Sequence, residues 1–224
     1  MFLSDEIEFL EHSAMQLLIR QIPSRLLKMK KIIIFNASPE GQKGNCARLI
    51  KNNIRLSLAK SVKTEVVHLA ELKNYGTNKK LLRSVNQASG FVFVSGTYWD
   101  SWGSPLQKYL EEMTDLEGTP AYLGKPAAVV ILNHSVGGKS VLSRLQGVLV
   151  TLGCLIPPLS GMVYGLNTDL VLKKLGKTKS SHQDDFWSLE DLQPILENLV
   201  RSLKIEITWA EWPVDRKNFR KLWL

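Results

Sequence analysis

Three short stretches of the chain gather residue types that bind small molecules: ASPEGQKGNC at 37–46, GTYWDSWGS at 96–104 and NHSVGGKS at 133–140. In the first, Ser38, Asn45 and, more weakly, the Cys46 thiol offer side-chain donors. Gly41 and Gly44 let the backbone curl close to a bound group. A helix starting after this stretch would add unpaired N–H groups and the positive end of its dipole, a site for an anion such as a phosphate. The same residues also suit an ordinary strand-to-helix turn with Asn45 as cap. The second stretch sets Tyr98, Trp99 and Trp102 among glycine and serine. Such rings either hold a flat ligand by stacking or pack on neighbouring helices or a second subunit. The third differs from a phosphate-binding Gly-x-x-x-x-Gly-Lys-Ser loop by Asn133 in place of the first glycine. Nucleotide hydrolysis also needs a magnesium-binding acid at a strand end, and the earlier strands end in Asn36 and Ser95. A glycine-rich loop with amides facing a ligand is what remains. His134 is of a type that could act as a catalytic acid or base, but its place in the sequence reads as that of a loop residue.

Metal and disulfide chemistry find little support. Cys46 and Cys154 share no C-x-x-C spacing, and the four histidines lack ligand spacing. No metal site is expected, and a reducing, cytoplasmic setting fits best. The N-terminal MFLSDEIEFLEH is acidic where a secretory signal would be basic. Leu145 to Thr168 carries no charge and is long enough to span a bilayer. It is broken by Gly147, Gly153, Pro157, Pro158, Gly161 and Gly165, so a helix end, a strand and a loop are expected there and no transmembrane segment.

The loops need elements to hold them. Apolar runs at 31–36, 63–69, 91–95 and 126–132, with a weaker one at 154–156, read as strands. Helical spacing follows at 47–60, 79–87, 106–113, 140–152 and 186–203. Strands alternating with helices imply a parallel sheet covered on both faces, flavodoxin-like or Rossmann-like. In such sheets ligands sit beyond the carboxyl ends of strands, where the strand order reverses. For the order 2-1-3-4-5 that point lies between strands one and three, which selects the stretches at 37–46 and 96–104. The dinucleotide pattern G-x-G-x-x-G is absent.

With 224 residues, 44% of them hydrophobic, the chain suits one α/β domain with extensions and excludes wholesale disorder. Residues 1–29 are expected to form a helical extension, 30–205 the domain, and 206–224 a tail. That tail interleaves Trp209, Trp212 and Trp223 with Arg216, Lys217, Arg220 and Lys221. It would touch nucleic acid or a membrane surface, or pack its indoles on the domain. Glu206, Glu211 and Asp215 dilute the basic signal, so packing is expected and no nucleic-acid partner. The net charge of +8 favours anionic ligands.

Taken together, IIIFNASPE with GNCARLIK, then FVFVSGTYWDSWGSPLQKYLE, then KPAAVVILNHSVGG resemble the NADPH-dependent FMN reductase family over roughly residues 30–200. The family's first loop runs Gly-Ser-Pro-Arg…Asn-Thr; Ser38, Pro39 and Asn45 match, and Cys46 replaces the hydroxyl residue. Its second loop often reads Pro-x-Tyr-Trp-Gly-Ser…Leu-Lys; Tyr98, Trp99, Ser101 and Leu106 match. The resemblance implies a flavodoxin-like three-layer α/β sandwich with a five-stranded parallel sheet of order 2-1-3-4-5. It implies that Ser38, Gly44, Asn45 and Cys46 hold the FMN phosphate. Thr97, Tyr98, Trp99, Asp100 and Ser101, with Asn133, Ser135, Gly137 and Gly138, would then hold the isoalloxazine ring. NADPH or NADH would give hydride to the flavin, which would reduce a second small-molecule acceptor: flavin, quinone or azo compound. The hydride step requires no acid–base residue, so none is assigned a catalytic role. A homodimer or higher homo-oligomer is implied as well.

Three positions depart from the family pattern. Gly96 replaces proline. Asp100 replaces glycine, which Asp tolerates in left-handed geometry. Glu40 stands where the family often has arginine. An opposing unit charge at ~4 Å and an effective dielectric of ~20 costs roughly 4 kcal/mol. Glu40 is therefore expected to point away or be offset by Lys43, or else FMN binds weakly. The alternative reading is a non-catalytic electron carrier or a degenerate flavin- or partner-binding module. The positive charge argues against the carrier, and the intact Ser38-Pro39 and Tyr98-Trp99 argue against degeneracy.

Overall fold

The computed structural model describes residues 29–134, 136–165 and 188–211. The helix expected within 1–29, residues 186 and 187 of the last helix, and the tail from 212 lie outside the described residues. Five strands, β1 (Lys31–Asn36), β2 (Lys63–His68), β3 (Gly90–Gly96), β4 (Ala127–Asn133) and β5 (Gly161–Gly165), form one sheet in the order β2-β1-β3-β4-β5. All four pairings are parallel.

Alternation along the strands explains the layers, because successive side chains point to opposite faces. Ile33, Phe35, Phe91, Phe93, Val129 and Ile131 face one side, under α2 (Lys79–Gln87), α3 (Ser104–Glu112) and α4 (Gly138–Leu152). Ile32, Ile34, Val92, Val94, Ala128 and Val130 face the other. There they meet α5 (Leu192–Ser202) and α1, which runs from Asn45–Leu49 through a π turn at Ile50–Ile54 to Arg55–Leu58. The central strands are buried on both faces, which is why they read as unbroken apolar runs. Phe35 anchors the first layer, its ring centroid 4.9 Å from Phe93 and 4.8 Å from Tyr109. Truncating such a residue costs about 3–5 kcal/mol.

The fifth strand is a correction. Expected at 154–156, it forms instead at Gly161–Gly165. Leu155 does pair with β4, since Ala127 N–H donates to its carbonyl at 2.9 Å and its own N–H donates to Lys125 at 3.0 Å. Pro157 and Pro158 then offer no N–H to a ladder, and Leu159 turns the chain at φ +54°. Pairing resumes where Val129 N–H donates to the Ser160 carbonyl at 2.9 Å. Among the described residues no helix is long and apolar enough to cross a membrane. Where the tail begins, Trp209 packs its indole on Gly124; a Cβ there would lie 2.3 Å from Trp209 Cδ1.

Candidate functional site

The loop after β1 is shaped by a residue that the sequence reading passed over. Asn36, buried at the end of β1, accepts from Ser38 N–H at 3.1 Å. Its Nδ2 donates to the Gly41 carbonyl at 2.8 Å and lies 2.9 Å from His68 Nδ1. This side-chain turn tucks Ser38 inward and ties the loop to the end of β2. An Asn at a strand end two residues before a serine was the available signal. The loop then enters α1 at Gly44, with no side-chain cap and no acid in the first turn. The leading N–H groups of α1 therefore remain available to an external acceptor.

The second loop is fastened to the first. Ala37 N–H donates to the Val94 carbonyl at 2.8 Å, and Gly103 N–H donates to Ser95 Oγ at 2.9 Å. Gly103 passes so close that a Cβ would sit 2.3 Å from the Ala37 carbonyl oxygen. Tyr98 and Ser101 exchange both backbone bonds, closing a two-residue turn with Trp99 at φ +47° and Asp100 at φ +55°. Left-handed geometry suits Asp100 but is costly for tryptophan. The Trp99 side chain is fully exposed at the tip. The ring of Tyr98 folds back over Gly96, where a Cβ would lie 3.0 Å from Tyr98 Cε2. Its hydroxyl reaches Ser38 Oγ at 3.3 Å.

The third loop joins from the other side. Thr97 N–H donates to the Leu132 carbonyl at 2.9 Å, and Arg144 of α4 donates to the Asp100 carbonyl. Gly137, at φ +85°, caps α4 beneath the Asp100 carboxylate; a Cβ there would lie 2.2 Å from Asp100 Oδ1. Asn133 is buried, with its side chain against Gly138. Ser135 lies outside the described residues.

The three loops enclose a cavity of about 110 Å³ lined by Ser38, Glu40, Asn45, Cys46, Thr97, Tyr98 and His134, with Gly96 and Leu132. Five expected residues, Ser38, Asn45, Cys46, Thr97 and Tyr98, line it directly. Trp99, Asp100, Gly137 and Gly138 flank it, and Ser101 acts through its pairing with Tyr98. Glu40 and His134 join the lining although neither was singled out for it. A wider groove of about 640 Å³ runs from Trp102 and Arg144 along Gly147 and Val148. It is open and mostly apolar and lacks the loop donors, so the smaller cavity is the chemical one.

Two features of the cavity point to a ligand. Thr97 Oγ1 is buried without a hydrogen-bond partner among the described residues, a costly state that a ligand polar group relieves. The uncapped α1 start supplies donors to an anion. One feature opposes an anion. The Glu40 carboxylate bends over Gly44, where a Cβ would lie 2.5 Å from Oε2. Its field is felt by its neighbours: burial first, then Glu40, pushes the Cys46 thiol up to about 12. Burial also raises the Tyr98 phenol, with Glu40 adding to it against the Ser38 hydrogen bond.

Residues 30–165 match the family described as NADPH-dependent FMN reductase. No curated protein sequence matches the chain. Among solved structures, an NADH:FMN oxidoreductase (EMOB) aligns with TM-score 0.61 at 19% identity, covering 79% of this chain and 91% of that one. FerB, a flavoenzyme NAD(P)H:(acceptor) oxidoreductase from Paracoccus denitrificans, aligns with TM-score 0.56 at 14% identity, covering 78% and 97%. A flavodoxin, WrbA-like protein from Agrobacterium tumefaciens aligns with TM-score 0.52 at 12% identity, covering 79% and 96%. The fold is thus flavodoxin-like.

Proposed function

Because the chain belongs to the NADPH-dependent FMN reductase family, and so to the flavin-dependent oxidoreductases, we propose that its three-loop site holds FMN. The chemistry FMN supplies when bound is electron transfer from NADPH or NADH to a second small acceptor such as a flavin, quinone or azo compound. The observation that carries this reading is the convergence, on one cavity, of the uncapped α1 start and the orphaned Thr97 hydroxyl.

The backbone N–H groups of Asn45 and Cys46, over Gly44, receive the flavin's phosphate end, with the Ser38 hydroxyl beside them. The enclosed space is small against the roughly 300–1,000 Å³ of a typical ligand pocket. It therefore takes only part of the ligand, and the ring lies across Tyr98, Trp99 and the third loop. Asn133 and the Gly137–Gly138 amides at the positive end of α4 face that ring, where they favour negative charge on it. Ser101, paired with Tyr98, keeps the Trp99–Asp100 turn closed. A second copy of the chain is the expected partner, and the exposed Val148 and Val150 of α4 supply apolar surface for it. The free, buried Cys46 and Cys154 suit a reducing compartment.

An absorbance spectrum of the purified protein with and without added FMN or riboflavin, followed by NADPH oxidation with a quinone, tests the reading. Bound flavin and acceptor-dependent turnover support it. A protein that ignores both FMN and riboflavin refutes it, and flavin bound without turnover leaves an electron carrier.

A further inference from the structure

The site presents its own carboxylate where an anionic ligand end would lie. Glu40 follows the Ser38-Pro39 turn, and its backbone N–H donates to Ser38 Oγ at 3.2 Å. The side chain, though exposed, then lies over Gly44, the entry to α1. Neither expected escape is taken. The carboxylate does not point away, and among the described residues it forms no ion pair with Lys43 or any other cation. Glu40 lines the same cavity as Ser38, Asn45 and Thr97.

A carboxylate in that place treats two kinds of ligand end oppositely. It repels a phosphate dianion that seeks the same N–H groups, and it accepts a hydrogen bond from an uncharged hydroxyl. We propose that Glu40 is a specificity-determining residue that turns the α1 entry at Gly44 against the phosphate of FMN and towards a flavin ending in a free ribityl hydroxyl. FMN then exchanges readily instead of staying as a resident group. This rests on the flavin reading above and sets which flavin the site prefers. Because Glu40 is exposed and at a loop surface, its replacement leaves the core untouched.

The test is the ratio of FMN to riboflavin dissociation constants, measured by quenching of flavin fluorescence, for the intact chain, Glu40→Gln and Glu40→Arg. Glu40→Gln is expected to tighten FMN about tenfold while changing riboflavin less than about threefold, and Glu40→Arg to go further in the same direction. Added salt should narrow the gap between the intact chain and Glu40→Arg. An unchanged ratio in both variants overturns the assignment of Glu40. Failure of every variant to bind either flavin overturns the flavin reading itself.

Discussion

Replacing Thr97 by valine is expected to stabilise the ligand-free protein and weaken flavin binding, two effects with one cause. Thr97 Oγ1 is buried without a partner among the described residues. Such a hydroxyl costs about 1–3 kcal/mol, whereas an apolar group of the same shape does not. Valine keeps the branched outline and its χ1 preference, and the backbone bond from Thr97 N–H to Leu132 is unaffected. The ligand-free variant should gain about 1 kcal/mol, seen as a rise of about 2–4 °C in Tm for a chain of this size. In the complex the intact chain's hydroxyl recovers a partner and the variant's methyl does not. Flavin affinity should therefore fall by about 1–2 kcal/mol, roughly five- to thirtyfold. Calorimetric melting without ligand and a fluorescence titration with FMN measure the two halves. Thr97→Ser, which keeps the hydroxyl, should bind close to normally. A Thr97→Val protein that melts lower without ligand, or binds flavin as well as the intact chain, would refute the assignment of this hydroxyl to the ligand.

Other expectations follow from packing and charge. Gly138→Ala sets a Cβ 2.4 Å from Val163 Cγ1 and should cost about 1–3 kcal/mol in a urea titration. Gly147→Ala on the same helix meets nothing within 4 Å and should stabilise by about 0.5–1 kcal/mol. Burial pushes the Glu65 carboxyl up, but hydrogen bonds from Lys31 and Ser84 and the Lys31 charge outweigh it and hold it below its ordinary 4.5. Its stabilisation is thus fully present above pH 4.5 and lost as pH falls below that value. Glu65→Gln should flatten that part of a stability–pH curve, and an unchanged acid limb would count against the pairing. Burial raises the thiols of Cys46 and Cys154 to about 12. A thiol reagent at neutral pH should label neither until denaturant is added, and rapid labelling of the native protein would contradict their burial.

How far the sequence carried the reading depends on the range of the forces involved. The runs 31–36, 91–95 and 126–132 are apolar because both sheet faces are covered, so the central strands and the loops after them were legible. So was the strand order once the loop motifs were matched. The fifth strand was not, because the Pro157-Pro158 pair lifts the chain off the sheet between two stretches that both pair with β4. Asp100 in left-handed geometry was anticipated from its residue type. Trp99 beside it was not, since propensity argues against it and only the pairing of Tyr98 with Ser101 imposes it. Glu40 was recognised as out of place for a phosphate site. Its direction is a rotamer set by Ser38 and Gly44 in three dimensions, which spacing along the chain does not encode.

The interruption between Leu155 and Gly161 bears on self-association as well. Among the described residues β5 borders the sheet, and a long straight border strand invites another molecule to add its own backbone. Here the paired length is cut short by two prolines, a residue turned left-handed and a detour of the main chain. A foreign strand would find no continuous row of free amides to read, which helps keep the folded protein from polymerising along that side.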